Sequence, residues 1–122
     1  MTEQALCIIK PDAVRRKLEG VIITGLINTG FTFVDLARRT LIKAALRELY
    51  KQHSEKEFFE PLIEFMNSGP LYVIGLEGDN CCERLRGYVA ATRSILATSV
   101  RENVIHGSDS PEAGVREVGL FF

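Results

Sequence analysis

The 122-residue chain is short of several features that would assign it to a class at once. It has three cysteines, Cys7, Cys81 and Cys82, an odd number with two adjacent and none at metal-ligand spacing. That excludes a disulfide framework and a zinc site, and it leaves thiols packed as small apolar groups, as expected of a cytoplasmic protein. An excess of one charge is also missing. Fifteen Lys and Arg against sixteen Asp and Glu give a net charge of −1, so no global field draws the chain to nucleic acid or to a membrane surface, and any anion site must be local. No apolar run approaches a membrane span. The start, Met1-Thr2-Glu3-Gln4, has neither the basic region nor the apolar run of a signal peptide. Repeats, low-complexity segments and linkers are absent too, so a single domain over residues 1–122 with one sizeable core is expected.

What is present reads as alternating strands and helices. Ala5 to Ile9 is a buried strand stopped at Lys10-Pro11-Asp12. Asp12 caps a turn into a helix over Gly20 to Asn28, ended by Thr29-Gly30 with Gly30 in the left-handed conformation. Phe31 to Leu41 alternates as a strand with both faces partly covered. Ala44 to His53 and Glu55 to Asn67 are helices, Leu71 to Leu76 is a strand, and Asn80 to Ala91 is a helix carrying Arg86. Thr92 to Ser99 reads as irregular, Val104-Ile105 as a short strand and Pro111 to Gly119 as a last helix. This order predicts an α+β, ferredoxin-like sandwich: a four-stranded antiparallel sheet with helices packed on one face.

Only two histidines occur, and one lies in the most informative stretch, Asn103-Val104-Ile105-His106-Gly107-Ser108-Asp109-Ser110. Ser108, Asp109 or Ser110 can cap the helix that begins at Pro111. A histidine held between a strand end and a helix N-terminus suits phosphate chemistry, because imidazole is nucleophilic when neutral and the helix start favours anions. Glu117, eleven positions on, can reach back to orient the ring. A strand-end histidine that merely satisfies a hydrogen bond is the competing reading of these residues. Lys10 at the end of the first strand, with Arg86, Thr92, Arg93 and Asn103, supplies cations and neutral donors that would hold a polyphosphate if they converge.

Ile9-Lys10-Pro11-Asp12-Ala13-Val14, Tyr50 with Phe58-Phe59, Met66-Asn67-Ser68-Gly69-Pro70, the run from Asn103 to Ser110 and Glu117 with Gly119-Leu120-Phe121-Phe122 form a specific set. On these motifs the chain resembles nucleoside diphosphate kinases over nearly its whole length. The resemblance implies a ping-pong transfer in which His106 takes the γ-phosphate of a nucleoside triphosphate and passes it to a nucleoside diphosphate. It also implies that Glu117 orients His106, Ser108 supports Glu117, and Tyr50 serves the phosphate site. Lys10 would meet the γ-phosphate and the ribose, and Asn103 the ribose. Arg86, Thr92 and Arg93 would hold the phosphates with Mg²⁺ carried mainly by the nucleotide, while Phe58 and Val100 would cover the two faces of the base. Phe58 as the exposed partner of a core Phe59 fits stacking that tolerates any base.

The chain departs from that family in one place. Ala91-Thr92 runs straight into Arg93-Ser94, about ten residues short of the family's loop from Ala-Thr-Asn-Pro to Pro-Gly-Thr-Ile-Arg, and residues on opposite sides of that loop become neighbours ~3.8 Å apart. Thr92 matches either the first threonine of that loop or the one before its arginine. The shortening implies a more open cleft and a homo-oligomer that is a dimer rather than a tetramer or hexamer. A family member acting as a phosphohistidine relay with impaired exchange, or a non-catalytic nucleotide-binding module, are the alternatives.

Overall fold

The computed structural model describes residues 2–99 and 102–122. Its elements are β1 (Thr2–Ile9), α1 (Pro11–Arg15), α2 (Glu19–Asn28), β2 (Thr32–Arg39), α3 (Lys43–Leu49), a 3₁₀ turn (Lys51–His53), α4 (Phe59–Met66), β3 (Leu71–Asp79), α5 (Cys81–Leu96), β4 (Ile105–Gly107) and α6 (Pro111–Phe121). The four strands form one antiparallel sheet in the order β2-β3-β1-β4, the ferredoxin-like arrangement that the element order predicts.

Helices cover both faces of the sheet rather than one. The continuous apolar run of β1 is the reason. Successive side chains of a strand point to opposite faces, so Ala5, Cys7 and Ile9 enter a core with Ile22, Leu26, Leu85 and Val89 of α2 and α5. Leu6 and Ile8 enter a second core with Leu46, Leu49, Ile63, Met66, Val118 and Phe121 of α3, α4 and α6. A strand this apolar on both sides requires two covering layers.

Other expectations change in instructive ways. Among the described residues β2 pairs only with β3, and it is mostly exposed, with Val34 and Leu36 open to solvent. Its pairing register shifts between Phe33 and Asp35. That bulge breaks the alternation: Phe33 packs on the α2/α5 core and Ala37 on the other. The segment 92–96, expected to be irregular, continues α5 to Leu96, while α4 begins only at Phe59. β4 begins one residue later than expected, so His106 lies within the strand and Val104 before it.

Two glycines let the layers close around the last strand. A Cβ on Gly114 of α6 would meet the Gln4 carbonyl oxygen of β1 at 2.0 Å, and one on Gly107 would lie 2.9 Å from Val89 of α5. α6 therefore lies directly on the β1 backbone, which brings Glu117, one helical turn further on, within reach of β4. Gly114→Ala is expected to destabilise the chain by about 3 kcal/mol, because the clash is with backbone and cannot be relieved by a rotamer change. Chemical denaturation checks this, and a loss within the ±0.5 kcal/mol of an ordinary surface change would show that α6 does not lie this close.

Candidate active site

His106 is the middle residue of β4 and pairs with Ile8 of β1. Its Nε2 lies 3.1 Å from Glu117 Oε1. The same carboxylate oxygen accepts the Ser108 hydroxyl at 2.8 Å. Ser108 is fixed in turn by Leu6, whose N–H donates to the hydroxyl at 2.9 Å and whose carbonyl accepts the Ser108 N–H at 3.0 Å. Of the three possible caps for α6, Ser110 is the one used: its hydroxyl accepts the Ala113 N–H at 3.1 Å, with Pro111 in the first turn. This leaves Ser108 free to serve Glu117.

Glu117 is almost wholly buried. Burial pushes its carboxyl up, but hydrogen bonding and charge from His106, the Ser108 hydroxyl and nearby Arg116 outweigh burial and hold it below the ordinary carboxylate value. An ionised carboxylate only accepts, so Nε2 must be the protonated ring nitrogen of His106 and the Nδ1 lone pair is left for chemistry. Arg116 places its guanidinium 3.7 Å from Glu117 Oε2 and donates to the Glu48 and Leu49 carbonyls at 3.2 and 3.3 Å. That ties the carboxylate to the end of α3, where Tyr50 follows. Tyr50 packs edge-on against the imidazole, with ring centroids 5.6 Å apart, and its buried hydroxyl has no partner among the described residues.

Tyr50, His106 and Glu117 line a cleft of about 750 Å³ together with Lys10, Phe58, Arg86 and Arg93, a size that suits a small ligand. Lys10 is buried and donates from Nζ to Asn103 Oδ1 at 2.6 Å. Burial, then the neighbouring Arg93 charge, push its ammonium down to about 8, against an upward pull from Asp12. Arg93 forks onto the Ile105 carbonyl from Nε and Nη2 at 3.1 and 2.8 Å. Phe58, at the start of α4, is exposed while Phe59 is buried.

The structure thus brings Lys10, Tyr50, Phe58, Arg86, Arg93, His106 and Glu117 to one cleft, with Asn103 held through Lys10 and Ser108 behind Glu117. It does not bring Thr92 there. On α5 the positions 86, 89, 90 and 93 share the face that lines the cleft. Thr92 is turned about 100° from Arg93 and is buried, beside the hydroxyl of Tyr88, which donates to the Ile22 carbonyl of α2. Val100 lies outside the described residues. His53 and Gln52, to which the sequence assigns no role, also line the cleft, as does Asp109, expected only as a possible helix cap. His53 follows Tyr50 by three positions on the 3₁₀ turn, so proximity to Tyr50 was the one available signal.

The chain matches the family model described as "Nucleoside diphosphate kinase" over residues 3–122. It is 40% identical over 130 residues to a nucleoside diphosphate kinase of Persephonella marina, covering 98% of this chain and 93% of that one. It is 41% identical over 133 residues to one from Mycobacteroides abscessus, covering 100% and 98%. Its fold is similar to the Aquifex aeolicus nucleoside diphosphate kinase, with a TM-score of 0.94 at 32% identity, covering 100% of this chain and 96% of that one. A Halobacterium salinarum nucleoside diphosphate kinase, in complex with CDP, gives a TM-score of 0.91 at 31% identity, covering 100% and 88%. Alignment with an Actinobacillus pleuropneumoniae nucleoside diphosphate kinase runs over 132 positions and takes in all of this chain's 122 residues, so 10 aligned positions have no residue here.

The low ammonium value of Lys10 sets a test of the cleft. Lys10 is charged below about pH 8 and neutral above it, so kcat/KM for nucleotide, which reports groups of the free enzyme, is expected to fall on the alkaline side with a midpoint near that value. Arg93→Met removes the neighbouring charge and should move the midpoint upward; an unmoved midpoint would separate the limb from Lys10. With an oriented histidine among convergent cations, and matches over its full length, the chain belongs to the nucleoside diphosphate kinase family and has that family's phosphotransferase activity.

Proposed function

We propose that the γ-phosphate passes from a nucleoside triphosphate to a nucleoside diphosphate by way of His106 Nδ1. The observation that carries the reading is the 3.1 Å contact of Nε2 with Glu117, which commits one ring nitrogen and leaves the other. In the first step the Nδ1 lone pair forms a bond to the γ-phosphorus. The bond from that phosphorus to the bridging oxygen breaks, and the nucleoside diphosphate leaves with the electron pair. The imidazole keeps its Nε2 proton, and Glu117 balances the positive ring. In the second step the terminal oxygen of another diphosphate attacks the phosphohistidine and the N–P bond breaks. Splitting one transfer into two in this way is nucleophilic catalysis.

Lys10, Arg86 and Arg93 supply charge for the phosphate oxygens, and the Tyr50 hydroxyl, without a partner among the described residues, supplies a donor beside the ring. Asn103, which accepts from Lys10, is assigned to the ribose by resemblance. Phe58 offers an exposed face for the base, which any base can use, and Val100 is assigned to the opposite face by resemblance alone. Thr92 enters as a phosphate ligand only if it leaves its place beside Tyr88.

The donor set fits a Mg²⁺ ion that arrives on the phosphates. Cations surround the histidine, and among the described residues no cluster of three or more His, Cys, Asp or Glu could hold a metal by itself. Asp109 is the cleft carboxylate not committed to His106, and the ion supplies charge neutralisation when bound.

We also infer that residues 1–122 act as one domain, because both cores share a single sheet. We place the ten missing positions in the loop between the Arg86 helix and the His106 strand, beside Thr92 and Arg93, and the protein in the cytoplasm, where free Cys7, Cys81 and Cys82 stay reduced. The exposed edge strand β2, with Val34 and Leu36 open, suits pairing with a second copy in a dimer.

Incubation with γ-labelled ATP and Mg²⁺ is expected to give acid-labile label on the chain that moves to added GDP, and His106→Ala should abolish it. Label that forms but fails to transfer would favour a relay with impaired exchange. No label on the unaltered chain would overturn the reading. Solution mass tests the assembly: a dimer is expected, and a stable hexamer would contradict it.

A further inference from the structure

Val104 holds the most demanding backbone conformation near the cleft. Its φ is +67°, and the Ile105 N–H donates back to the Asn103 carbonyl at 2.8 Å. That is a γ-turn of the positive-φ form, which is rare and strained. Among the described residues the other non-glycine positions with positive φ are Lys17 and Asn80. Neither is β-branched, whereas Val104 is β-branched and fully buried, the kind of residue that tolerates this region least.

Two hydrogen bonds hold the turn. The Lys10 N–H donates to the Val104 carbonyl at 2.9 Å, and the Val104 N–H donates to Asp12 Oδ2 at 3.1 Å. Asp12 is almost wholly buried on the short α1, and its other oxygen has no partner among the described residues. A carboxylate kept out of water is costly, and the proposed phosphoryl transfer gives it no task beyond its upward pull on the Lys10 ammonium. Its place in the fold supplies one. Val104 stands between Asn103, which receives the Lys10 ammonium, and Ile105-His106, which open β4.

We propose that Asp12 is a positioning residue: by gripping the Val104 N–H it keeps the γ-turn closed, which sets Asn103 against Lys10 and sets the entry of β4 that places His106. The strain is local and its direction is fixed. If the turn opened, φ of Val104 would return to negative values and the segment before His106 would redirect. Lys10 and His106 would then lose their common registration although each residue remained present. Backbone strain held by surrounding structure is a recurrent property of functional sites.

The test combines the rate of His106 phosphorylation by γ-labelled ATP and Mg²⁺ in a single turnover with thermal melting of the same variants. Asp12→Ala is expected to slow phosphorylation by about 10-fold or more, since small misplacements of a reacting group have effects of that size. Asp12→Asn keeps an oxygen that can accept the Val104 N–H and should stay within about 3-fold of the unaltered chain. Glycine takes positive φ without steric cost, so Val104→Gly should melt above Val104→Ala, the reverse of the usual order of these two residues. When Asp12→Ala is combined with Val104→Gly, its penalty should shrink to less than half its size in the chain that keeps Val104.

Equal penalties in both backgrounds, an Asp12→Asn variant as slow as Asp12→Ala, or Val104→Ala melting at or above Val104→Gly would each overturn the proposal. The melting order needs no activity, so an adverse order overturns the proposal even if Asp12→Ala does not fold, and Asp12→Asn then carries the comparison of rates. The rates rest on His106 as phosphoryl acceptor. Label that persists on His106→Ala would sink that reading while leaving the melting order to judge the strained turn.

Discussion

An ionised carboxylate taken out of water costs several kcal/mol unless donors meet it, and in this fold Glu117 is the group that imposes that demand. The donors that answer it come from three directions. His106 reaches it from β4, Ser108 from the turn after β4 with its own hydroxyl anchored on β1, and Arg116 from α6 while gripping the end of α3. Each donor is there because an element passes through that point, so one charge specifies where two strands and two helices must meet. The close seat of α6 on β1, permitted by Gly114, makes the meeting possible. Orientation of the nucleophile is thus a by-product of how the layers pack.

Much of this was legible in the sequence, and the reasons differ by element. The apolar run of β1 marks a central strand because nothing polar interrupts it on either face. The run from Asn103 to Ser110 with Glu117 eleven positions later marks the site, because a strand followed by a capped helix returns the chain to the same edge. What stayed hidden depends on long-range partners. The bulge in β2 comes from its pairing with β3 and leaves no local signal. α5 runs past Thr92 because the Tyr88 and Arg93 anchors hold its last turns to α2 and β4. Asp12 looked like a cap for the next helix, yet its partner is Val104, ninety-two positions away.

The junction of Thr92 and Arg93 shows how a helix sorts neighbouring residues. Two side chains adjacent in sequence diverge by about 100°, and on α5 the edge of the cleft face falls between Thr92 and Arg93. Arg93 falls on the cleft face with Arg86, and Thr92 falls on the buried face with Tyr88. In this chain the cleft wall made by α5 carries guanidinium groups and small apolar side chains. The neutral donor next to Arg93 serves the core.

Lys10 brings stability and the phosphate site into opposition. Its ammonium, with an ordinary value of 10.5, is pushed down to about 8 in the folded chain, first by burial and then by Arg93. Between those two values the unfolded chain binds more protons at this residue than the folded chain does, so folding stability rises with pH across that window. Over the same window the cleft gives up a positive charge. The contribution of Lys10 to folding is therefore least when that residue is charged for phosphate and greatest when it is neutral, so the same burial that places its ammonium in the cleft works against keeping it charged there.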